Sequence, residues 1–194
     1  MNGSIHVKDD TMPKIKRKTL GYSGKASTLI CELQDLMETQ SEATLRKWCL
    51  DFAEHKILEI FEKRCPGENR PRNALQMARN CLNGSTDLFE VKDVLMKDCD
   101  VAARELNSDP AAQAAARAIG QATSSIHILN HTLEMFFYTA AAIAFDRVGL
   151  NAEKDVYDNI TDEVCADYTA DLQAIAIVNE PNPAKIVWKK CQQR

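Results

Sequence analysis

The stretch AIGQATSSIHILNHTLEMFFYTAAAIAF, running from Ala118 to Phe145, constrains this chain more than any other part of it. It is the most apolar segment, yet it places His127, Asn130, His131 and Glu134 in its middle. A helix that is apolar nearly all round belongs in the centre of a bundle. Polar groups carried into that centre must be paired there, because burying them alone is costly. The longest nearly unbroken apolar run, Met135 to Phe145, is too short to span a bilayer, which needs about 20 residues.

Helical spacing surrounds this segment. Pro110 opens an alanine-rich run that continues into it, and the pattern stops near Gly149, so the spacing predicts one long central helix, bent near Gly120. Leu29, Ile30, Leu33, Leu36 and Met37 mark an earlier helix. Ser41 reads as the N-cap of the next, which extends to about Lys63. Pro71 fits the start of a third and Gly84 its C-terminal cap. Ser85 or Thr86 caps a fourth that runs to Leu106, and a last helix occupies roughly 153–178 before NEPNP breaks it. No strand alternation or hairpin signal is present. The expected fold is therefore all-α, a single-domain bundle of about six helices around a central apolar helix, with short connections and antiparallel neighbours. Residues 26–180 form the helical domain. Residues 1–25, basic through Lys14, Lys16, Arg17, Lys18 and Lys25 and without apolar periodicity, read as a flexible arm; residues 181–194 read as a tail.

The formal charge of −4 over 194 residues argues against a general nucleic-acid binder. Seven scattered cysteines (Cys31, Cys49, Cys65, Cys81, Cys99, Cys165 and Cys191) are odd in number and form no CxxC pair, which points to reduced thiols in a cytosolic protein. No apolar run follows Met1, so no signal peptide is expected and a cytoplasmic location is.

Three constellations carry candidate chemistry. At about 100° per residue, Ser124, His127, His131 and Glu134 fall in one stripe with Gly120 and Tyr138. A metal-binding bundle, or a metal-dependent enzyme, centred on His127, His131 and Glu134 is one reading. Against it, Ile128 stands where H-E-x-x-H needs its glutamate, and the di-iron order Glu-x-x-His is reversed. Ser124 beside His127 lacks the strained turn and oxyanion hole of a nucleophile. The favoured reading is a structural polar seam that fixes the packing, with no metal and no cofactor. In the second constellation, Asp51 and Glu54 share a helix face, and Arg70 and Arg72 flank the next helix, which predicts a helix-to-helix clamp. Glu54 and Glu59, five residues apart on an α-helix, point in different directions, which argues against an acid/base pair. Third, the last helix is acidic. Asp155, Asp158 and Asp162 form one stripe and Glu163, Asp167 and Asp171 another. Asp155, Asp158, Asp162 and Glu163 are the candidate contacts for a basic partner.

Three segments carry a family likeness. Trp48, Asp51, Ala53, Glu54, Ile57, Leu58, Phe61 and Glu62 form the first, with two residues, His55 and Lys56, between Glu54 and the aliphatic pair where the family pattern has one. Arg70, Pro71, Arg72 and Ala74 form the second. Ala115, Ala116, Arg117, Ala118, Gly120, Ala122, His127 and His131 form the third. Together, over about residues 45–145, they resemble the helical immunity proteins of bacterial polymorphic-toxin systems, the immunity-five-like group. The resemblance implies an all-helical protein that binds and blocks a cognate protein toxin. With no catalytic site in the sequence, it implies a non-enzyme whose partner is that toxin rather than nucleic acid or membrane.

Overall fold

The computed structural model describes residues 25–188. Cys191 and the expected basic arm, apart from Lys25, lie outside the described residues. Within them the chain is all-α, without a strand. The helices are α1 (Lys25–Met37), α2 (Glu42–Phe52), α3 (Leu58–Arg64), α4 (Arg70–Leu82), α5 (Leu88–Glu105), α6 (Pro110–Ser124), α7 (His131–Val148) and α8 (Lys154–Ile175). A π turn, Ala53–Ile57, joins α2 to α3, so those two form one continuous rod. That turn contains both His55 and Lys56.

Local chemistry sets most boundaries. Ser41 caps α2, its hydroxyl accepting from the Thr44 N–H at 3.2 Å. Asp109 caps α6 through the Ala112 N–H at 3.0 Å, with Pro110 first in the helix. Helix α5 is capped by Asp87, which accepts from the Phe89 N–H at 2.8 Å, rather than by Ser85 or Thr86. Gly84 (φ +74°) follows α4 and Gly149 (φ +68°) ends α7, both in the left-handed region open to glycine.

The expected single central helix is two helices folded back on each other. The cause lies in three consecutive hydroxyl residues. Thr123 and Ser124 donate to the Gly120 carbonyl at 3.0 and 2.7 Å, and Ser125 donates to the Ala122 carbonyl at 2.6 Å. Hydroxyls bonded to carbonyls a turn back compete with the helix ladder. The backbone then tightens, with the His127 N–H reaching the Ser124 carbonyl at 3.2 Å and the His131 N–H that of Ile128 at 3.1 Å. An unbroken helix from Pro110 to Val148 would be almost 60 Å long, too long for a domain of this size to surround.

Helix α6 is the centre. It packs against α7, α5, α4, α3, the π turn and α2. Its alanines, from Ala111 to Ala122, are buried, and their small side chains let the neighbours approach closely. At Gly120 the approach is tightest: a Cβ there would lie 3.0 Å from the Cys99 Cβ of α5. The same pair of helices is tied by Thr123, whose hydroxyl also lies 3.3 Å from the Leu95 carbonyl, and by Gln113, whose amide donates to the Ala103 carbonyl at 2.8 Å.

Beyond α7 lie α8 and then α1. Trp48, Phe52, Phe136 and Tyr168 fill the junction of α2, α7 and α8. The Tyr168 ring centroid is 4.5 Å from that of Trp48 and 4.7 Å from that of Phe52. The Tyr168 hydroxyl donates to the Thr132 carbonyl at 2.6 Å. Burial pushes this phenol well above its usual pKa, so it stays a donor.

Residues 177–188, partly within the expected tail, pack back onto the domain. The Ile177 N–H donates to the Gln40 side chain at 2.8 Å, and the Ala184 N–H to the Gln40 carbonyl at 2.8 Å. The Glu180 carboxylate accepts from the Ser41 N–H and the Thr44 hydroxyl, both at 2.6 Å, at the N-terminus of α2. Asn130 donates to the Val187 carbonyl at 2.8 Å, and Trp188 to Glu38 at 2.6 Å.

Two substitutions test this packing. Gly120→Val should cost about 2 kcal/mol by overpacking the α5–α6 contact. Tyr168→Phe should cost about 1 kcal/mol by removing the buried hydrogen bond from its hydroxyl to the Thr132 carbonyl. Both are read as shifts in urea midpoint with an unchanged m-value; a Gly120→Val midpoint at or above wild type would refute the close approach.

Candidate functional site

The hairpin break rearranges the predicted seam. His131 opens α7 and His127 sits in the turn before it, so they are no longer one turn apart on a single helix. Their ring centroids lie 6.3 Å apart at 55°. His131 Nδ1 is 2.6 Å from Gln121 Oε1 of α6 and 3.3 Å from Glu134 Oε2. Ser124 turns its hydroxyl to the Gly120 carbonyl. The structure thus brings His131, Glu134 and His127 together, adds Gln121, and leaves Ser124 bonded within its own helix. Gln121 was not anticipated, because its nearness to His131 exists only once the hairpin closes. Among the described residues, no group of three or more His, Cys, Asp or Glu side chains is placed to hold a metal ion. The metal-centred reading, which needed His127 and His131 on consecutive turns of one helix, loses that geometry.

The predicted clamp has different partners. Asp51 and Glu54 are held by Arg79 of α4, with Arg79 Nη1 2.8 Å from Asp51 Oδ1 and Nη2 on Glu54. Arg70 binds Glu68 and Glu105, and Arg72 binds Glu62 at 2.6 and 2.7 Å. The correction is one of helix register: Arg79 faces the π turn, whereas Arg70 and Arg72 lie at the far end of α4. Partial burial pushes the Asp51 carboxyl up, but hydrogen bonds from Lys47 and Arg79 outweigh it and hold the pKa below its ordinary value. A further tie was missed. Arg64 Nη1 meets both Asp109 oxygens at 3.0 Å, and its Nε meets Asp146 at 2.8 Å, which joins the end of α3 to the start of α6 and the end of α7. The π turn also alters the Glu54–Glu59 geometry. Both residues line one groove of about 550 Å³.

The acidic helix α8 presents its carboxylates on two flanks. Asp158 is paired with Lys154 one turn back, and Glu163 with Arg147 of α7 at 2.7 Å. Asp155 is exposed in the first turn and accepts from the Val156 N–H at 3.0 Å. Asp162 lies toward α1. Burial first, then the charges of Asp162 and Glu32, push the Cys165 thiol up to about 12, so Asp162 and the α1 residue Glu32 share that seam. Of the four candidate contacts, Asp155 and Asp162 therefore form no ion pair among the described residues.

The Arg79 tie has a pH signature. Because the folded Asp51 pKa is depressed, its stabilisation is complete above the ordinary carboxylate pKa of about 4 and is lost as pH falls below that. Arg79→Met should lower stability at pH 7 by about 1–2 kcal/mol and flatten the fall in stability below pH 4. Chemical denaturation at pH 7 and pH 3 measures both; an equal loss at the two pH values would exclude the ion-pair account.

Among the described residues, no helix is long and apolar enough to cross a membrane. No curated protein and no solved structure matches the chain. One family model does match, that of the Imm-5 like putative immunity protein, over residues 35–171. The match takes in the rod of α2 and α3, the arginines of α4, the α6–α7 hairpin and most of α8. With that match covering most of its length, this chain belongs to the Imm-5 like immunity protein family.

Proposed function

We propose that this protein protects its host by binding a cognate protein toxin and occluding the toxin's working surface, one to one, without catalysing any reaction. Family membership carries the reading. The physical surface that suits it is α8, where the carboxylates of exposed Asp155 and half-buried Asp162 meet no cation among the described residues. Such a surface raises encounter rates with a basic partner and orients it before short-range contacts form. Asp158 and Glu163 contribute less, because Lys154 and Arg147 already hold them. The protein acts in the cytoplasm, where the reduced thiols Cys49, Cys99 and Cys165 remain buried.

Co-expression with candidate toxin domains tests the function. The chain should suppress killing by one of them and form a 1:1 complex with it. Protection at far below stoichiometric amounts would instead mean turnover. With that toxin in hand, changing Asp155, Asp158, Asp162 and Glu163 to lysine should slow association about tenfold or more at low salt and change dissociation far less. Association rates and salt dependence equal to wild type would remove α8 from the interface. Reversing Asp155 and Asp162 alone should account for most of the loss.

A further inference from the structure

We propose that the groove beside the π turn receives a lysine or arginine side chain of the protein partner, an inference that rests on the toxin-blocking function above. Successive residues of an α-helix are about 100° apart, so positions five apart diverge by about 140°. A π turn closes hydrogen bonds from i to i+5 and stacks such positions. Here the Leu58 N–H donates to the Ala53 carbonyl, and Glu54 and Glu59 come to line the same groove. Its other walls are His55, Glu62 and Arg72, and buried Leu58 forms the floor.

The charges around this groove are unevenly satisfied. Glu54 is held by Arg79 and Glu62 by Arg72. Lys63, also at the rim, lies 3.7 Å from Asp146. Glu59 is exposed and has no ion-pair partner among the described residues. His55 places Nδ1 2.8 Å from the Asp51 carbonyl, and since a carbonyl only accepts, that nitrogen carries the hydrogen. In the neutral ring Nε2 is then an acceptor. A carboxylate and an imidazole acceptor above an apolar leucine match a cation on an aliphatic stem. The head bonds Glu59 and His55, and the stem lies along the groove wall above Leu58. Because Arg72 is held by Glu62 and Lys63 lies toward Asp146, an anionic group would meet chiefly the unmatched Glu59, and an apolar one would desolvate it without replacing its hydrogen bonds.

The test uses the full chain with labelled leucine methyls and histidine rings, followed by NMR. The probe is N-acetyl-arginine methylamide, and its citrulline counterpart supplies nearly the same shape without charge. The arginine probe should shift Leu58 and His55 saturably, with half-saturation on the order of 1 mM. The citrulline probe should bind at least tenfold more weakly, and Glu59→Gln, an exposed change that leaves the fold intact, should weaken the arginine probe about fivefold or more. Absence of saturation at Leu58, equal response to both probes, or an unaltered Glu59→Gln titration would each overturn the proposal. Against the toxin, Glu59→Lys should weaken affinity at least tenfold; wild-type affinity would also overturn it. Failure of the broader function reads differently, as killing that the wild-type chain does not suppress.

Discussion

The fold depends on how closely its neighbours can approach α6. A helix surrounded on every side cannot carry large side chains on every side, because the interior is packed at crystal-like density. Its run of buried alanines, with Gly120 set against Cys99, meets that requirement. The large side chains that fill space come instead from the surrounding rods: Trp48 and Phe61 from the α2–α3 rod, Leu95 from α5, Phe136 from α7 and Tyr168 from α8. Small at the centre and large around it, this division lets several helices pack on one. It also explains why Thr123 and Gln113 of α6 reach backbone carbonyls of α5, since at such short range a carbonyl is the nearest partner.

That constraint also separates what the residues reveal locally from what they do not. Ser41, the Asp109–Pro110 pair, Gly84 and Gly149 mark helix ends by chemistry that acts within a few residues, and each marks an end in the structure. The all-α character follows from periodicity summed over long windows. The break between α6 and α7 has no glycine or proline, and a buried hairpin of two apolar helices has the same pattern as one long apolar helix. Only the size of the domain, weighed with the Thr123–Ser125 hydroxyls, distinguishes them. Contacts that close over long loops are hidden for a different reason. Glu180 reaches Thr44 across 136 positions, and nothing near either residue announces the other.

The site residues divide along the same line. Asp51 and Glu54 could be placed on one face, because a helix fixes that relation. Which arginine would meet them depends on the register of α4 against a rod containing a π turn, and an ideal α wheel misjudges that register. A π turn holds one residue more than an α turn, and no glycine or proline in AEHKI marks it. One added residue in a helix must either rotate everything after it by about 100° or be absorbed in a single wide turn. Rotation would have turned Leu58 and Phe61 out of the core, where both are now buried. Absorption was therefore the less costly outcome, and its consequence is a groove that a regular helix would not have.

The electrostatics then separate into two roles. Around α4 and α6, carboxylates are matched by arginines, as Arg79 matches Asp51 and Glu54, Arg72 matches Glu62, and Arg64 matches Asp109 and Asp146. Arginine suits these places because its fork takes two acceptors in fixed directions. Such pairs tie one helix to another and leave little field outside the molecule. Exposed Asp155 and Glu59 and half-buried Asp162 have no such match among the described residues. An unmatched surface carboxylate adds nothing to folding and slightly opposes it through repulsion. Charges are thus neutralised where helices meet, while exposed carboxylates are left without a cation among the described residues on α8, beside the π turn and also on α5, at Glu90 and Asp93.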